Sequence, residues 1–114
     1  MKDYKFDFEL DNKKYTLVFN LNVMEAIQEE YGTIGEWGKL TDGTNGEVSA
    51  KAVKFGLTEM LNEGIDIDNE TREEKLPLFT TKQVGRILTE IGLQEATKKL
   101  NDTVNESTKS DEKN

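Results

Sequence analysis

The carboxylates between residues 66 and 70 come nearest to a known chemistry in this sequence. Asp66, Asp68 and Glu70 alternate along the chain, as the first ligands of a calcium-binding loop do. An EF-hand loop also needs glycine at its sixth position and glutamate at its twelfth. Counting from Asp66, these positions hold Thr71 and Pro77. The calcium pattern therefore fails, and we interpret the stretch as a solvated, acidic surface loop.

Two other polar motifs invite a catalytic or nucleotide-binding interpretation. Glu29 and Glu30 are adjacent carboxylates, but neighbouring positions of a helix diverge by about 100°, so they do not converge on one substrate atom. Residues 42–46 contain two glycines but lack the spacing and the Lys-Ser/Thr pair of a phosphate-binding loop. We interpret the first motif as a solvated helix face and the second as an ordinary loop.

The sequence contains no histidine and no cysteine. Histidine is the commonest general acid or base and the commonest ligand of transition metals, and cysteine supplies thiolates, disulfides and zinc sites. The chemistry that is left belongs to carboxylates, lysine, serine and threonine. Because no motif brings such groups together, we expect a protein that is not an enzyme and that holds no metal or cofactor.

The balance of charges restricts the partners. The 114 residues include 23 acidic and 15 basic side chains, for a formal net charge of −8. Such a charge disfavours nucleic acids and anionic membrane surfaces, which bind through neutralisation of phosphates. No apolar run approaches the ~20 residues of a membrane span, and residues 1–7 contain no apolar signal segment. We expect a cytoplasmic protein without nucleic-acid or membrane partners.

The elements that would position these residues begin with a β-hairpin. Residues 4–10 alternate strictly between apolar and polar side chains, and residues 15–19 show the same period of two. Turn-forming Asp and Asn lie in the connection at 11–14. A hairpin alone is marginally stable in water, so its aromatic face needs a cover. We expect the helices that follow to provide it.

The rest of the chain has helical periodicity, with capping residues at the predicted helix starts and glycines at several ends. The predicted helices span about 22–31, 34–40, 49–63, 81–91 and 94–104. The predicted capping pairs are Asn22 with Glu25, Thr33 with Glu36 and Thr80 with Gln83, and the predicted terminal glycines are Gly32, Gly64 and Gly92. Residues 65–75 lack an apolar period, and we predict a loop there.

We therefore predict an α+β fold in which an N-terminal antiparallel hairpin packs on four to five α-helices. Residues 1–104 form one domain in this interpretation. Residues 105–114 carry no large apolar side chain, so they cannot offset the entropy of ordering. We predict that this segment is a disordered polar tail and is dispensable for folding.

Four apolar residues on the short helices and in the last connection are candidates for binding a partner: Trp37, Leu40, Phe55 and Phe79. Large aromatic side chains dominate the energetics of many interfaces. The same residues also suit the core, and the periodicity alone does not decide between the two placements.

The order of these motifs resembles one protein family over about residues 4–104. The hairpin is followed by Asn-Leu-Asn-Val-Met-Glu-Ala-Ile-Gln-Glu-Glu-Tyr-Gly at 20–32 and by a short helix that contains Trp37. Then come Ala-Val-Lys-Phe-Gly-Leu-Thr-Glu-Met-Leu-Asn-Glu-Gly at 52–64, an acidic insertion, and Leu-Phe-Thr-Thr-Lys-Gln-Val-Gly-Arg-Ile-Leu at 78–88. This pattern resembles the small tail assembly chaperones of long-tailed bacteriophages and prophages, particularly those of Gram-positive hosts.

The resemblance implies a non-catalytic function. Such chaperones bind the long, helical tape measure protein and keep it soluble until the tail tube protein polymerises around it, and they are absent from the finished virion. The resemblance assigns no functional residue position by position. Two alternatives stay open, a structural head–tail or tail component and a small host adaptor or regulatory protein. The sequence gives no support for a homo-oligomer, and that question stays open too.

Overall fold

The structure, a computed structural model, describes residues 4–10, 12–44 and 46–112. Its elements follow one another as β1 (Tyr4–Leu10), β2 (Lys13–Phe19), α1 (Leu21–Tyr31), α2 (Ile34–Thr41), α3 (Ala50–Asn69), α4 (Thr81–Ile91) and α5 (Leu93–Glu112). The two strands form an antiparallel hairpin, which packs against α1, α3 and α5, while α2 and α4 pack mainly against other helices. The predicted α+β fold is confirmed. Within the described part of the chain, no helix has the length and apolar character needed to span a membrane.

The hairpin follows the predicted alternation. Phe8 pairs with Tyr15 across the strands, and their stacked rings lie with centroids 5.4 Å apart. β2 begins at Lys13 rather than at residue 15, because the register continues until Lys13 lies opposite Leu10. Asn12 adopts φ 64° in this tight connection, a left-handed conformation that asparagine tolerates better than most residues. The connection is therefore shorter than the predicted four residues.

The aromatic face of the hairpin is covered by helices, as expected. Leu17 and Phe19 of β2 are fully buried in the main core. The half-buried rings of Phe6 and Phe8 in β1 lie under the ammonium group of Lys99 in α5, which is 5.6 Å and 5.4 Å from their centroids. This cation–π contact leaves the lysine stem to cover apolar surface while its head stays near water.

Most helix starts are those that the sequence predicts. The hydroxyl of Thr33 accepts a hydrogen bond from the backbone N–H of Glu36, and Thr80 with Gln83 forms a complete capping box. The prediction of Asn22 as a cap is wrong. Asn20 is the cap, since its Oδ1 accepts from the backbone N–H of Val23 at 3.3 Å. The helix therefore begins one residue earlier than predicted.

The end of α3 differs from the prediction. We predict a helix end at Gly64, but α3 continues to Asn69 and Gly64 is an interior helical residue. The glycine is needed there for a different reason, because β2 crosses the helix at this point. A Cβ built on Gly64 would lie 3.0 Å from the carbonyl oxygen of Thr16. Packing against the strand, and not the local preference of glycine, explains the residue, and the predicted loop at 65–75 begins only after Asn69.

The C-terminal segment also differs. A helix ending near 104 and a disordered tail over residues 105–114 are predicted, but α5 continues to Glu112. Thr103 and Ser107 are fully buried, and the Ser107 hydroxyl donates a hydrogen bond to the carbonyl oxygen of Phe19. The Ser107 hydroxyl thus contacts β2, a contact that an argument based on large apolar residues overlooks. Residues 113 and 114 lie outside the described part.

Candidate functional site

An open groove of about 1040 Å³ lies on the face of the hairpin that is turned away from the main core. Most side chains of the hairpin wall alternate with the aromatic ones, and Lys13 and Tyr15 border the groove near the turn. The C-terminal half of α3 forms the opposite wall. The two walls meet where Val18 contacts Gly64, with a distance of 3.5 Å from Val18 Cγ2 to a Cβ built on the glycine. A bulkier residue 64 would push the walls apart and change the groove.

The floor of the groove is apolar. Val18 and Leu61 are buried beneath it, and Ile65 and Ile67 are half-buried along the α3 wall. These isoleucines belong to the stretch that we predict as a loop, and the extension of α3 to Asn69 places them in the groove. A surface of this kind gains free energy when an apolar ligand covers it, roughly 25 cal/mol for each Å² removed from water.

The third wall is the extended segment Leu76–Phe79, which two asparagines attach to α3. The amide of Asn62 donates to the carbonyl of Phe79 at 3.0 Å and accepts from its N–H at 2.7 Å. The amide of Asn69 binds the N–H and carbonyl of Leu76 in the same way, at 2.8 Å and 3.0 Å. Seven helical residues span about 10 Å and so do three extended residues, so the two contacts match.

This attached segment presents apolar side chains to solvent. Leu76 is 41% exposed and Leu78 is 48% exposed, while Leu76, Pro77 and Phe79 line the groove. Phe79 is half-buried, and its ring lies 5.9 Å from that of Tyr15. Leu21, on the N-terminus of α1, is 65% exposed but does not line the groove. Leu76 therefore extends the apolar surface of the groove onto its edge, whereas Leu78 is exposed but is not part of the groove lining.

The two rims of the groove carry opposite charges. Lys5, Lys13 and Lys14 lie on the hairpin rim, and Asp68 and Glu70 lie on the rim formed by the end of α3. Among the described residues, no hydrogen bond or ion pair engages the side chains of these three lysines.

Each rim also contains a polar group with a partner within the protein. On the hairpin side, the carboxylate of Asp7 accepts a hydrogen bond from Thr16 at 2.7 Å. On the helix side, Asp68 forms an exposed ion pair with Arg72 at 3.3 Å. The side chains of the three lysines and the exposed carboxylate of Glu70 consequently remain the charges of the groove without such a partner among the described residues.

The four predicted partner-binding residues are not brought together. Trp37 is 1% exposed, and its indole N–H donates to the carbonyl of Ala52 at 3.0 Å, so it belongs to the core. Leu40 is half-buried against the core, and Phe55 packs edge-on against Tyr31 at 5.6 Å. Phe79 alone lies at the groove. We therefore withdraw the first three from the candidate surface.

Sequence reasoning missed most of the groove. Lys13 and Lys14 were predicted to lie in the connection at 11–14, and Ile65 and Ile67 in a loop at 65–75. The seven-residue spacing of Asn62 and Asn69 was the available signal, since it repeats on one face of a helix. That spacing becomes informative only when the helix is known to continue beyond Gly64.

The carboxylates singled out in the sequence do not form a metal site in the described part of the structure, where no group of three or more acidic side chains could hold an ion. A different pair is notable on α3. Burial raises the pKa of Glu59, and the nearby carboxylate of Glu63 raises it further. Glu63 itself accepts hydrogen bonds from the amides of Asn20 and Asn22, at 2.7 Å and 3.0 Å. This cluster joins α3 to the start of α1 and lies outside the groove.

Comparison with known proteins adds no further constraint. No family model matches the chain, and neither the curated proteins nor the solved structures provide a match. The arguments about function consequently start from the groove and from the motifs of the sequence.

Proposed function

We propose that this protein is a non-catalytic assembly chaperone that holds an amphipathic helix of a phage tape measure protein in the groove. The observation that carries the proposal is the open groove with an apolar floor and charged rims. An amphipathic helix binds such a groove by burying its apolar stripe while its polar face stays in water. The motif order that resembles the tail assembly chaperones supports the choice of client.

The size of the groove suits this occupant. A helix with side chains is about 10–12 Å wide and rises 5.4 Å per turn, so each turn fills roughly 400–600 Å³. The groove of about 1040 Å³ corresponds to about two turns. Because a groove covers only one side of its ligand, a bound helix would extend over more than two turns.

The charge of the protein suits a chaperone that keeps a client soluble. A net charge of −8 makes copies of the protein repel one another. A complex whose apolar surfaces are covered and whose outer surface is acidic would resist aggregation. In this proposal the tail tube protein then displaces the chaperone as it polymerises around the client.

Co-expression with the tape measure protein of the same genome tests the proposal. We expect the client to become soluble and to elute with this protein on gel filtration. The variant Leu76→Ser should weaken the complex, because this side chain lines the groove and is largely exposed, so that it contributes little to folding. Leu21→Ser is the control, since it removes a still more exposed leucine outside the groove.

Three outcomes would contradict the proposal or part of it. A client that is equally insoluble with and without this protein would exclude the chaperone function. Equal effects of the groove and control variants would exclude the groove as the binding surface. Detection of this protein in finished particles by mass spectrometry would instead indicate a structural tail component.

A further inference from the structure

We propose that the opposite charges of the two rims determine the direction in which a client helix lies in the groove. This inference rests on the proposed function, because it concerns the same groove and the same kind of ligand. It adds a requirement on the client. Its apolar stripe must be flanked by acidic residues on one side and by basic residues on the other.

The hairpin rim provides the first part of the argument. Lys5, Lys13 and Lys14 line it, and none of their side chains is engaged by another described residue. The register places Lys5, opposite Val18, and Lys14, opposite Glu9, on the open face of the hairpin, which they share with the carboxylate of Asp7. Lys13, opposite Leu10, alternates with the aromatic face and borders the groove at the turn end of the hairpin. In a protein with a net charge of −8, a cluster of unengaged lysines is a local exception. It favours an acidic flank of the ligand.

The opposite rim provides the second part. Asp68 and Glu70 line the end of α3, and the following residues Glu73 and Glu74 are exposed and acidic as well. Arg72 offsets one of these charges through its ion pair with Asp68, and Lys75, whose ammonium group donates to the carbonyl oxygens of Asn69 and Arg72, offsets a second. This rim still remains acidic, and it favours a basic flank of the ligand.

Direction follows from the geometry of a helix in a groove. Turning an amphipathic helix end for end keeps its apolar stripe on the floor but exchanges its left and right flanks. For a helix with one acidic and one basic flank, only one direction therefore places unlike charges at both rims. The reverse direction places like charges there, which is unfavourable. A helix with two acidic flanks gains no preference from this arrangement.

The size of the preference follows from the exposure of these charges. Single exposed ion pairs contribute little, but the two directions differ at several rim positions at once. We expect a preference of about tenfold at low salt, which corresponds to about 1.4 kcal/mol. At 1 M salt the Debye length falls to about 3 Å, and the preference should disappear while apolar binding persists.

Synthetic peptides provide the test. Three helical peptides of 18 residues share one apolar stripe. Viewed with the N-terminus up, the first has an acidic left flank and a basic right flank, and the second has these flanks exchanged. The third has two acidic flanks. A nitroxide at the N-terminus of each peptide broadens the backbone amide signals near it in an NMR spectrum of the full-length protein. Leu61 and Thr71 mark the two ends of the α3 wall. We expect the nitroxides of the first two peptides to broaden amide signals at opposite ends of the groove. The nitroxide of the third peptide should broaden amide signals at both ends.

A charge-reversed protein provides the second arm. Lys5→Glu with Lys13→Glu should reduce the preference at least fivefold, because it makes both rims acidic. Both residues are exposed and neither lies opposite a carboxylate in the hairpin register, so the fold should persist. Lys39→Glu with Lys82→Glu changes the net charge equally at exposed sites outside the groove and should leave the preference unchanged.

The possible failures are distinguishable. If the peptides bind but broaden the same end whatever their flanks, or broaden both ends equally, the inference is wrong and the proposed function stands. If no peptide binds, or if the protein alone forms a dimer that buries the groove, both this inference and the groove-binding proposal are wrong. Co-expression with the client then decides whether the chaperone function survives on another surface.

Discussion

The indole ring of Trp37 occupies the space that a side chain on residue 56 would need. A Cβ built on Gly56 would lie 2.5 Å from Cζ2 of Trp37 and 2.9 Å from Cδ1 of Leu100. The glycine thus allows α2, α3 and α5 to meet around one buried tryptophan. Gly56 lies in the interior of α3, where glycine is otherwise unfavourable. Close packing against Trp37 therefore explains why this position has no side chain.

Gly56→Ala should destabilise the protein, although alanine favours helices by about 1 kcal/mol over glycine. The methyl group would overlap the indole, and overpacking of a core costs about 1–3 kcal/mol. Gly85→Ala is the control, because a Cβ there meets only the flexible Lys54 side chain at 3.5 Å. It should raise stability by about 0.5–1 kcal/mol. Urea denaturation measures both variants, and a more stable Gly56→Ala protein would contradict the packing argument.

Asn69→Ala should release the segment that follows α3 without unfolding the domain. The variant loses both hydrogen bonds to Leu76, and these bonds are exposed. We expect faster tryptic cleavage after Arg72 and Lys75 and a small change in melting temperature. Asn62→Ala removes the partly buried pair of bonds to Phe79 and should cost more, about 1–3 kcal/mol. Equal cleavage rates in Asn69→Ala and the parent protein would show that the asparagine does not hold the segment.

Removal of residues 105–114 should lower stability by about 1–2 kcal/mol, since it deletes the buried Ser107 and leaves the carbonyl of Phe19 without this donor. This expectation replaces the sequence-based one, in which the segment is dispensable. A deletion of 110–114 keeps Ser107 and serves as the control. Calorimetry of the two truncated proteins decides the matter, and indistinguishable melting temperatures would restore the original prediction.

Glu59 should make the protein less stable as the pH rises. Its pKa in the folded protein is raised above the ordinary value of 4.5 for a glutamate, so the folded state binds the proton more tightly than the unfolded state does. The associated stability is present below about pH 4.5 and is lost as the pH rises through the folded pKa.

Glu59→Gln removes this dependence. We expect the variant to be more stable than the parent at pH 7 and to differ less from it at pH 4, in urea denaturation at the two values. Glu29→Gln, at an exposed position of α1, is the control and should leave the stability unchanged at both pH values. A Glu59→Gln variant that is less stable at pH 7 would show that the carboxylate makes a favourable contact that outweighs its burial.

Local sequence patterns predicted the elements well where local energetics decide. Alternation identified the hairpin, and capping residues located the starts of α2 and α4. Gly32 and Gly92 end their helices with φ 93°, as predicted for residues without a side chain. The failures occurred at Gly64 and at Ser107, where a helix continues because a distant strand packs against it. A propensity argument does not include that strand.

The sequence by itself determined the fold class, the order of the elements, the acidic surface and the absence of histidine and cysteine chemistry. These properties depend on residue types and on spacings of two to four residues, within which side chains meet their own backbone and near neighbours. The tertiary structure decided that Trp37 is buried, that Ile65 and Ile67 lie in a groove, and that Lys5 and Asp68 lie on opposite rims. Such relationships join residues that are far apart in the chain, so they arise only when the hairpin and α3 have packed together.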